Sequence, residues 1–427
     1  MSYPQKIFLE ITTKCNLNCN FCVKNISASL KKEKIFPFAL FKKLVKNFSS
    51  VNRLILNGIG EPLLHPQLEE FVALAKKHMP ATSTIAFQSN GMLFTPEKVH
   101  NLLSAGLDQV CLSLDGVEAD FLQQKRQGAS LSKILTSLDM LNLHRQKINP
   151  HFKMGIEFVL MKSNYKQLPH LIELAQEKKV DFILVTHLLP YSKEVANECL
   201  FEPNTHKAKK LFNKYKEKAQ KLGLAIKDYF QVRWKFHKKE QDKKLINLVE
   251  TMIKEAEKEN ILLHLENLVF WDEQDLTDLE NILETSSNLA RKYNISLDLP
   301  PLRAQNKRKC EFVEEKSVFI DVEGNVAPCY FLWHQYSCYM DKRTKHIYPV
   351  FFGNIKEEDL QAIWNKEKFI QFREEVLQVN YPYCSNCPLV PCDDLLNESF
   401  PFEHDCYGNT VPCGHCLWCM GGIRCLR

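Results

Sequence analysis

Three cysteines spaced C-x3-C-x2-C, Cys15, Cys19 and Cys22, follow the apolar run Ile7-Phe8-Leu9-Glu10-Ile11 and constrain this chain more than any other feature. A C-x2-C pair alone is compatible with zinc, a redox dithiol or half of an iron-sulfur site. Three thiols with no fourth beside them are more specific. A [4Fe-4S] cube takes one ligand per iron, so three thiolates leave one iron open to a ligand that is not protein. A three-thiol zinc site completed by a distant histidine is the alternative.

From Ile7 to about Tyr191, short β-branched runs alternate with helical patterns, the rhythm of β-α units around a parallel sheet. The candidate strands are Ile7–Ile11, Arg53–Asn57, Thr84–Gln88, Gln109–Leu114, Phe152–Leu160 and Phe182–His187. Six units are two short of a closed eight-stranded barrel, and chemistry in such folds sits at the C-terminal strand ends. The second strand runs into Asn57-Gly58-Ile59-Gly60-Glu61-Pro62, where two glycines let backbone approach a ligand and Glu61 can accept from an ammonium group. The third ends in Ser89-Asn90-Gly91 and the fourth in Ser113-Leu114-Asp115-Gly116. Alternation puts Ser113 and Asp115 on one face, where they can converge on one ligand. Cys111 reads as a small buried hydrophobe, and Glu157 and His187 as groups facing the barrel interior.

The Cys loop, with an aromatic before its last thiol, resembles the signature of the radical S-adenosylmethionine (SAM) superfamily. Gly58-Ile59-Gly60-Glu61-Pro62 is similar to that family's G-x-G-E-P version of its Gly-Gly-Glu motif, and Ser113-Leu114-Asp115-Gly116 to its S-x-D-G. The resemblance implies an open (β/α)6 barrel and a [4Fe-4S] cluster on Cys15, Cys19 and Cys22 whose open iron is chelated by SAM. It implies that Gly58, Gly60 and Glu61 hold the SAM amino group, that Ser113 and Asp115 reach its ribose and carboxylate, and that Ser89 and Asn164 contact SAM. It implies, too, that Phe21 shields the adenine. No catalytic side chain beyond these emerges.

A length of 427 residues exceeds what one hydrophobic core usually serves. We divide the chain into a barrel over residues 1–202, a Lys/Glu-rich helical segment over 203–305 and a Cys-rich tail over 306–427. Trp234 and Phe236 stand among lysines in the middle and are read as helix packing instead of nucleic-acid contacts. The tail opens with Cys310, a strand-like run Val318–Val322, a turn at Glu323-Gly324-Asn325 and Cys329; the hairpin would bring two remote thiols together. This C-x13-G-x4-C spacing, followed by Gly353-Asn354-Ile355 and Ile363-Trp364, resembles the SPASM extension of radical SAM maturases. Its implied content is two auxiliary [4Fe-4S] clusters. The proposed division puts Cys310 and Cys329 on one and Cys384, Cys387 and Cys392 on the other, with Cys406, Cys413, Cys416 and Cys425 supplying the remainder. Cys338 and Cys419 are the weakest candidates. A zinc ribbon on Cys384/Cys387 and Cys413/Cys416 is the alternative from spacing alone. The segments around Cys406 and Cys416 also look like a branch of metalloenzyme maturases, some associated with tungsten-dependent oxidoreductases.

Sixteen cysteines in a long chain with repeated C-x2-C pairs suggest metal in a reduced cytoplasm, not a disulfide framework. No apolar run is long enough for a membrane span, and no basic patch suggests nucleic acid. What the resemblance implies is a maturase: one electron from flavodoxin or ferredoxin, cleavage of SAM to a 5′-deoxyadenosyl radical, and modification of a peptide or protein. The Cys loop starts so early that a folded or nascent protein is favoured over a leader-bearing peptide. The alternatives are small-molecule or metal-cofactor biosynthesis and a non-catalytic iron-sulfur or zinc scaffold.

Overall fold

The computed structural model describes residues 2–27, 30–261, 263–270, 276–305, 307–340, 343–382 and 403–426. Its centre is a parallel sheet whose first six strands follow chain order: β1 (Lys6–Leu9), β2 (Arg53–Ile55), β3 (Thr84–Ser89), β4 (Gln109–Ser113), β5 (Lys153–Leu160) and β6 (Phe182–His187). These are the six strands expected. Their residues are apolar on both faces because helices cover one side and the barrel interior lies on the other. The outer layer includes α1 (Leu68–His78), α2 (Pro96–Ser104), α3 (Leu131–Ile148) and α4 (Leu168–Glu177). In α1 the buried residues Leu68, Phe71, Val72 and Ala75 repeat at helical spacing. α2 begins where Thr95 Oγ1 accepts from Lys98 N at 3.1 Å, with Pro96 in the first turn.

The middle of the chain forms a helical module around α5 (His206–Lys221) and α6 (Glu240–Lys258). Leu211, Tyr215, Leu245, Val249 and Met252 belong to a core separate from the one that serves the sheet. At its base, Asn204 Oδ1 accepts from His264 N at 2.8 Å and Asn204 Nδ2 donates to Asn267 Oδ1 at 3.0 Å. Trp234 and Phe236 do not pack as expected: they are 72% and 94% exposed. The inward positions of that stretch are taken by Tyr229, Val232 and Leu245, which leaves both rings on the outside. The chain then rejoins the barrel, with α7 (Thr277–Lys292) packed on α4 and β7 (Ser296–Asp298) paired parallel to β6.

The tail closes the opposite edge. β8 (Ser317–Ile320) pairs parallel to β1, aligning Ile7 with Val318 and Leu9 with Ile320. β9 (Asn325–Ala327) returns antiparallel through Gly324, whose φ of +88° favours a residue without Cβ. A short hairpin of β10 (Tyr336–Met340) and β11 (Arg343–Ile347) follows, and β12 (Gly353–Asn354) completes a ten-stranded sheet. Barrel and tail share one apolar core. Among the described residues no helix is long and apolar enough to cross a membrane.

Candidate functional site

A cavity of about 330 Å³ opens at the C-terminal ends of the barrel strands. Cys15, Cys19 and Cys22 line it together with the glycine loop. Their loop is shaped by a two-residue antiparallel ladder pairing Asn18–Cys19 with Arg126–Gln127, and by Asn25 Nδ2 donating to Cys19 O at 2.8 Å. Burial raises the pKa of all three thiols, that of Cys19 to about 11 with the nearby Arg126 charge opposing the shift. Such thiols need a cation to hold them as thiolates. No group of three or more His, Cys, Asp and Glu side chains among the described residues is arranged around a single ion. A [4Fe-4S] cube would bind each of the three thiolates at a separate iron.

The glycine loop packs tightly against this one. A Cβ on Gly60 would stand 2.4 Å from Thr12 O and 2.5 Å from Lys14 O, and one on Gly58 would strike Glu10. Glu61 N donates to Lys14 O at 2.7 Å, tying the two loops together. The Glu61 carboxylate, 2% exposed, accepts from Ser89 Oγ at 2.8 Å, Asn90 N at 2.7 Å and Leu63 N at 3.1 Å. Burial lifts its pKa to about 7 despite these donors. A carboxylate so desolvated is poised to gain from a cation placed beside it. Ser89 therefore orients Glu61, and both line the cavity.

At the ends of β4 and β5 the expected pair separates. Ser113 lines the cavity, with Oγ 3.4 Å from Glu157 Oε2. Asp115 is fully buried behind it and does not line the cavity: its oxygens accept from Arg126 Nε at 2.6 Å and Val159 N at 2.9 Å. β4 ends at Ser113, so the alternation that put both residues on one face no longer holds at 115. Asn164 likewise lies outside the cavity. It accepts from Met161 N at 2.7 Å and donates to Asp115 O and Val159 O. The group these residues present is the Arg126 guanidinium, which lines the cavity between Cys19 and the Phe21 ring, 5.3 Å from that ring's centroid. Burial alone would lower the Arg126 pKa, but Asp115 outweighs it and the net shift is upward. Sequence reasoning missed Arg126; no periodicity marks it. Cys111 is buried as expected, while Glu157 and His187 do line the cavity.

The tail supplies the opposite wall through Tyr330, Trp418, Arg424 and Cys425. Gly422 O accepts from His187 N at 3.2 Å and Arg424 N donates to Thr186 Oγ1 at 2.9 Å, which lays the last segment across the end of β6. Trp418 Nε1 donates to Cys425 Sγ at 3.2 Å. A second group of thiols lies apart: Cys310, Cys329, Cys413, Cys416 and Cys419 line one small apolar cavity. Cys419, one of the two weakest candidates by sequence, is its hub. Hydrogen bonds from Cys310, Cys413 and Cys416 push the Cys419 thiol well below its usual range. The C-x2-C-x2-C spacing of Cys413, Cys416 and Cys419 was the available signal. Cys406 is exposed and does not line that cavity. Cys384, Cys387 and Cys392 lie outside the described residues.

Glu10 joins tail to barrel. This fully buried carboxylate at the end of β1 accepts from Ile59 N in the glycine loop at 3.0 Å and from Val322 N at 3.1 Å, and pairs with His334 Nε2 at 3.2 Å.

Residues 9–175 match the radical SAM superfamily and residues 310–388 the SPASM iron-sulfur cluster-binding domain. Over 98% of its length the chain is 26% identical to the tungsten-containing aldehyde ferredoxin oxidoreductase cofactor-modifying protein of Pyrococcus furiosus, of which it covers 96%. It is 28% identical to the GTP 3′,8-cyclase of Clostridium acetobutylicum over 43% of this chain and 55% of that one. The fold resembles the crystal structure of Streptococcus suis SuiB, with a TM-score of 0.53 at 14% identity over 87% of this chain and 68% of SuiB.

Proposed function

The chain is a radical SAM enzyme carrying a C-terminal SPASM domain, and from that premise we propose that it is a maturase acting on a peptide or protein. In this reading Cys15, Cys19 and Cys22 ligate a [4Fe-4S] cluster. Glu61, approached across Gly58 and Gly60, receives the ammonium group of SAM, and Arg126 receives its carboxylate. Ser113 meets the ribose and Phe21 covers the adenine. Ser89 positions Glu61, Asp115 positions Arg126, and Asn164 positions Asp115. When bound, the cluster and SAM supply one-electron reductive cleavage to methionine and a 5′-deoxyadenosyl radical. The protein's part is to orient the target carbon and exclude water. The electron comes from flavodoxin or ferredoxin, in a reduced cytoplasm. Two auxiliary [4Fe-4S] clusters sit in the tail, one on ligands drawn from Cys310, Cys329, Cys413, Cys416 and Cys419, the other using Cys384, Cys387 and Cys392.

The observation that carries this reading is the shared cavity. Its walls come from the Cys loop, the Glu61 loop and the tail at once, so the tail is part of the chamber in which a target would lie. The nearly full-length likeness to a cofactor-modifying protein favours a second reading, in which the target is a metal cofactor carried by the protein partner. Anaerobic reconstitution with iron and sulfide, a strong reductant and SAM should yield 5′-deoxyadenosine. No product would overturn the enzyme assignment of these residues. Replacing Cys15, Cys19 and Cys22 together by Ala should abolish cleavage while leaving about two clusters' worth of iron; loss of all iron would refute the tail clusters.

A further inference from the structure

The helical module carries a charge out of proportion to the chain. Between His206 and Lys244 stand fourteen Lys and Arg against four Asp and Glu, a surplus of ten in a protein of net charge +5. Twelve of these lysines are exposed. Three are paired with carboxylates, Lys214 with Glu255, Lys235 with Asp242 and Lys243 with Glu240. On the same stretch lie the two most exposed aromatic side chains among the described residues, Phe236 and Trp234. The Arg233 guanidinium sits 4.5 Å from the Trp234 ring centroid and restrains it. Beneath them the module has its own packed core, so the surface is a platform and not a frayed loop.

We propose that this basic, aromatic face docks an acidic face of the folded protein that the enzyme modifies; the inference rests on the protein-substrate reading above. A cavity of about 330 Å³ must hold SAM as well as the reacting group. It leaves little room for contacts that recognise a whole protein, so that recognition has to be made elsewhere. Exposed lysines accelerate encounter with an acidic surface, and a restrained Trp beside a Phe is the usual form of an interface anchor. The cations are lysines apart from Arg233, which is engaged with the rings of Tyr229 and Trp234. That suits steering by point charges better than a bidentate grip on phosphates.

The test uses the full reconstituted chain and a short fluorescein-labelled peptide in which glutamates flank two leucine pairs, with an oligouridylate of equal charge as competitor. Anisotropy should report binding that weakens with salt. It should weaken about tenfold in the double variant Trp234→Ala/Phe236→Ala and again in Lys238→Glu/Lys239→Glu, with SAM cleavage unchanged. Equal binding by wild type and variants would overturn the proposal. So would tighter binding of the oligouridylate that these substitutions abolish, which would make the face a nucleic-acid surface. Because the readout is binding, its failure with SAM cleavage intact refutes only the docking face. Peptide binding that behaves as expected without any SAM cleavage refutes only the maturase reading.

Discussion

Gly60 is where residue chemistry is least forgiving. Its added Cβ would meet two backbone oxygens, which cannot swing aside as a side chain could. Gly60→Ala should destabilise the cluster-free chain by about 1–3 kcal/mol in urea unfolding and abolish measurable SAM binding. Glu61→Gln removes the charge but keeps the shape, and SAM affinity should fall about tenfold or more in calorimetry; unchanged affinity would remove Glu61 from the site. Asp115→Ala leaves Arg126 buried without its partner and should cost about 3–5 kcal/mol. Gly58, Gly60, Glu61 and the three thiols were legible because each belongs to a local motif. Arg126 was not, since it reaches Cys19 only through a two-residue ladder between segments over a hundred residues apart in sequence.

At the scale of elements, the strands were legible from apolar runs, and the cavity opens at the C-terminal ends where the sequence directed attention. The hairpin of β8 and β9 was readable from its Gly-Asn turn. Its pairing with β1 was not, because register between remote strands leaves no local pattern. The end of β6 carries a pH dependence. His187 is buried, with Nε2 3.0 Å from Pro301 O, and desolvation lowers its pKa to about 4. Between about 6.5 and 4 the unfolded chain binds a proton that the native state refuses, so stability falls as pH falls through that window. The loss approaches about 3 kcal/mol at its lower end. Unfolding of the cluster-free chain against His187→Gln should show the wild type losing that advantage between pH 7 and 4; a constant difference would place the titration elsewhere.

For the whole molecule, the separate cores predict opposite fates for two deletions. The ends of the helical module meet where Asn204 bonds His264, so a short glycine linker from Thr205 to His264 should leave a soluble chain that unfolds cooperatively. Ending the chain at residue 305 instead strips β8 from β1 and exposes Phe8, which packs on Phe312 and Tyr330 at 5.5 and 4.9 Å. That fragment should aggregate; a soluble fragment with native circular dichroism would contradict the shared core. The division of cores was partly visible in composition, as a Lys-rich stretch poor in glycine, but the bond between barrel and tail was invisible. Glu10 shows what that bond means in time. The donor Val322 N lies 312 residues beyond the carboxylate it satisfies. At ribosomal speeds of about 5–20 residues per second, Glu10 waits about 15 to 60 s for it. During that interval the outer edge of β1 is bare and Glu10 holds the glycine loop without its tail partners Val322 and His334, so a newborn chain depends on whatever shelters it until those residues emerge.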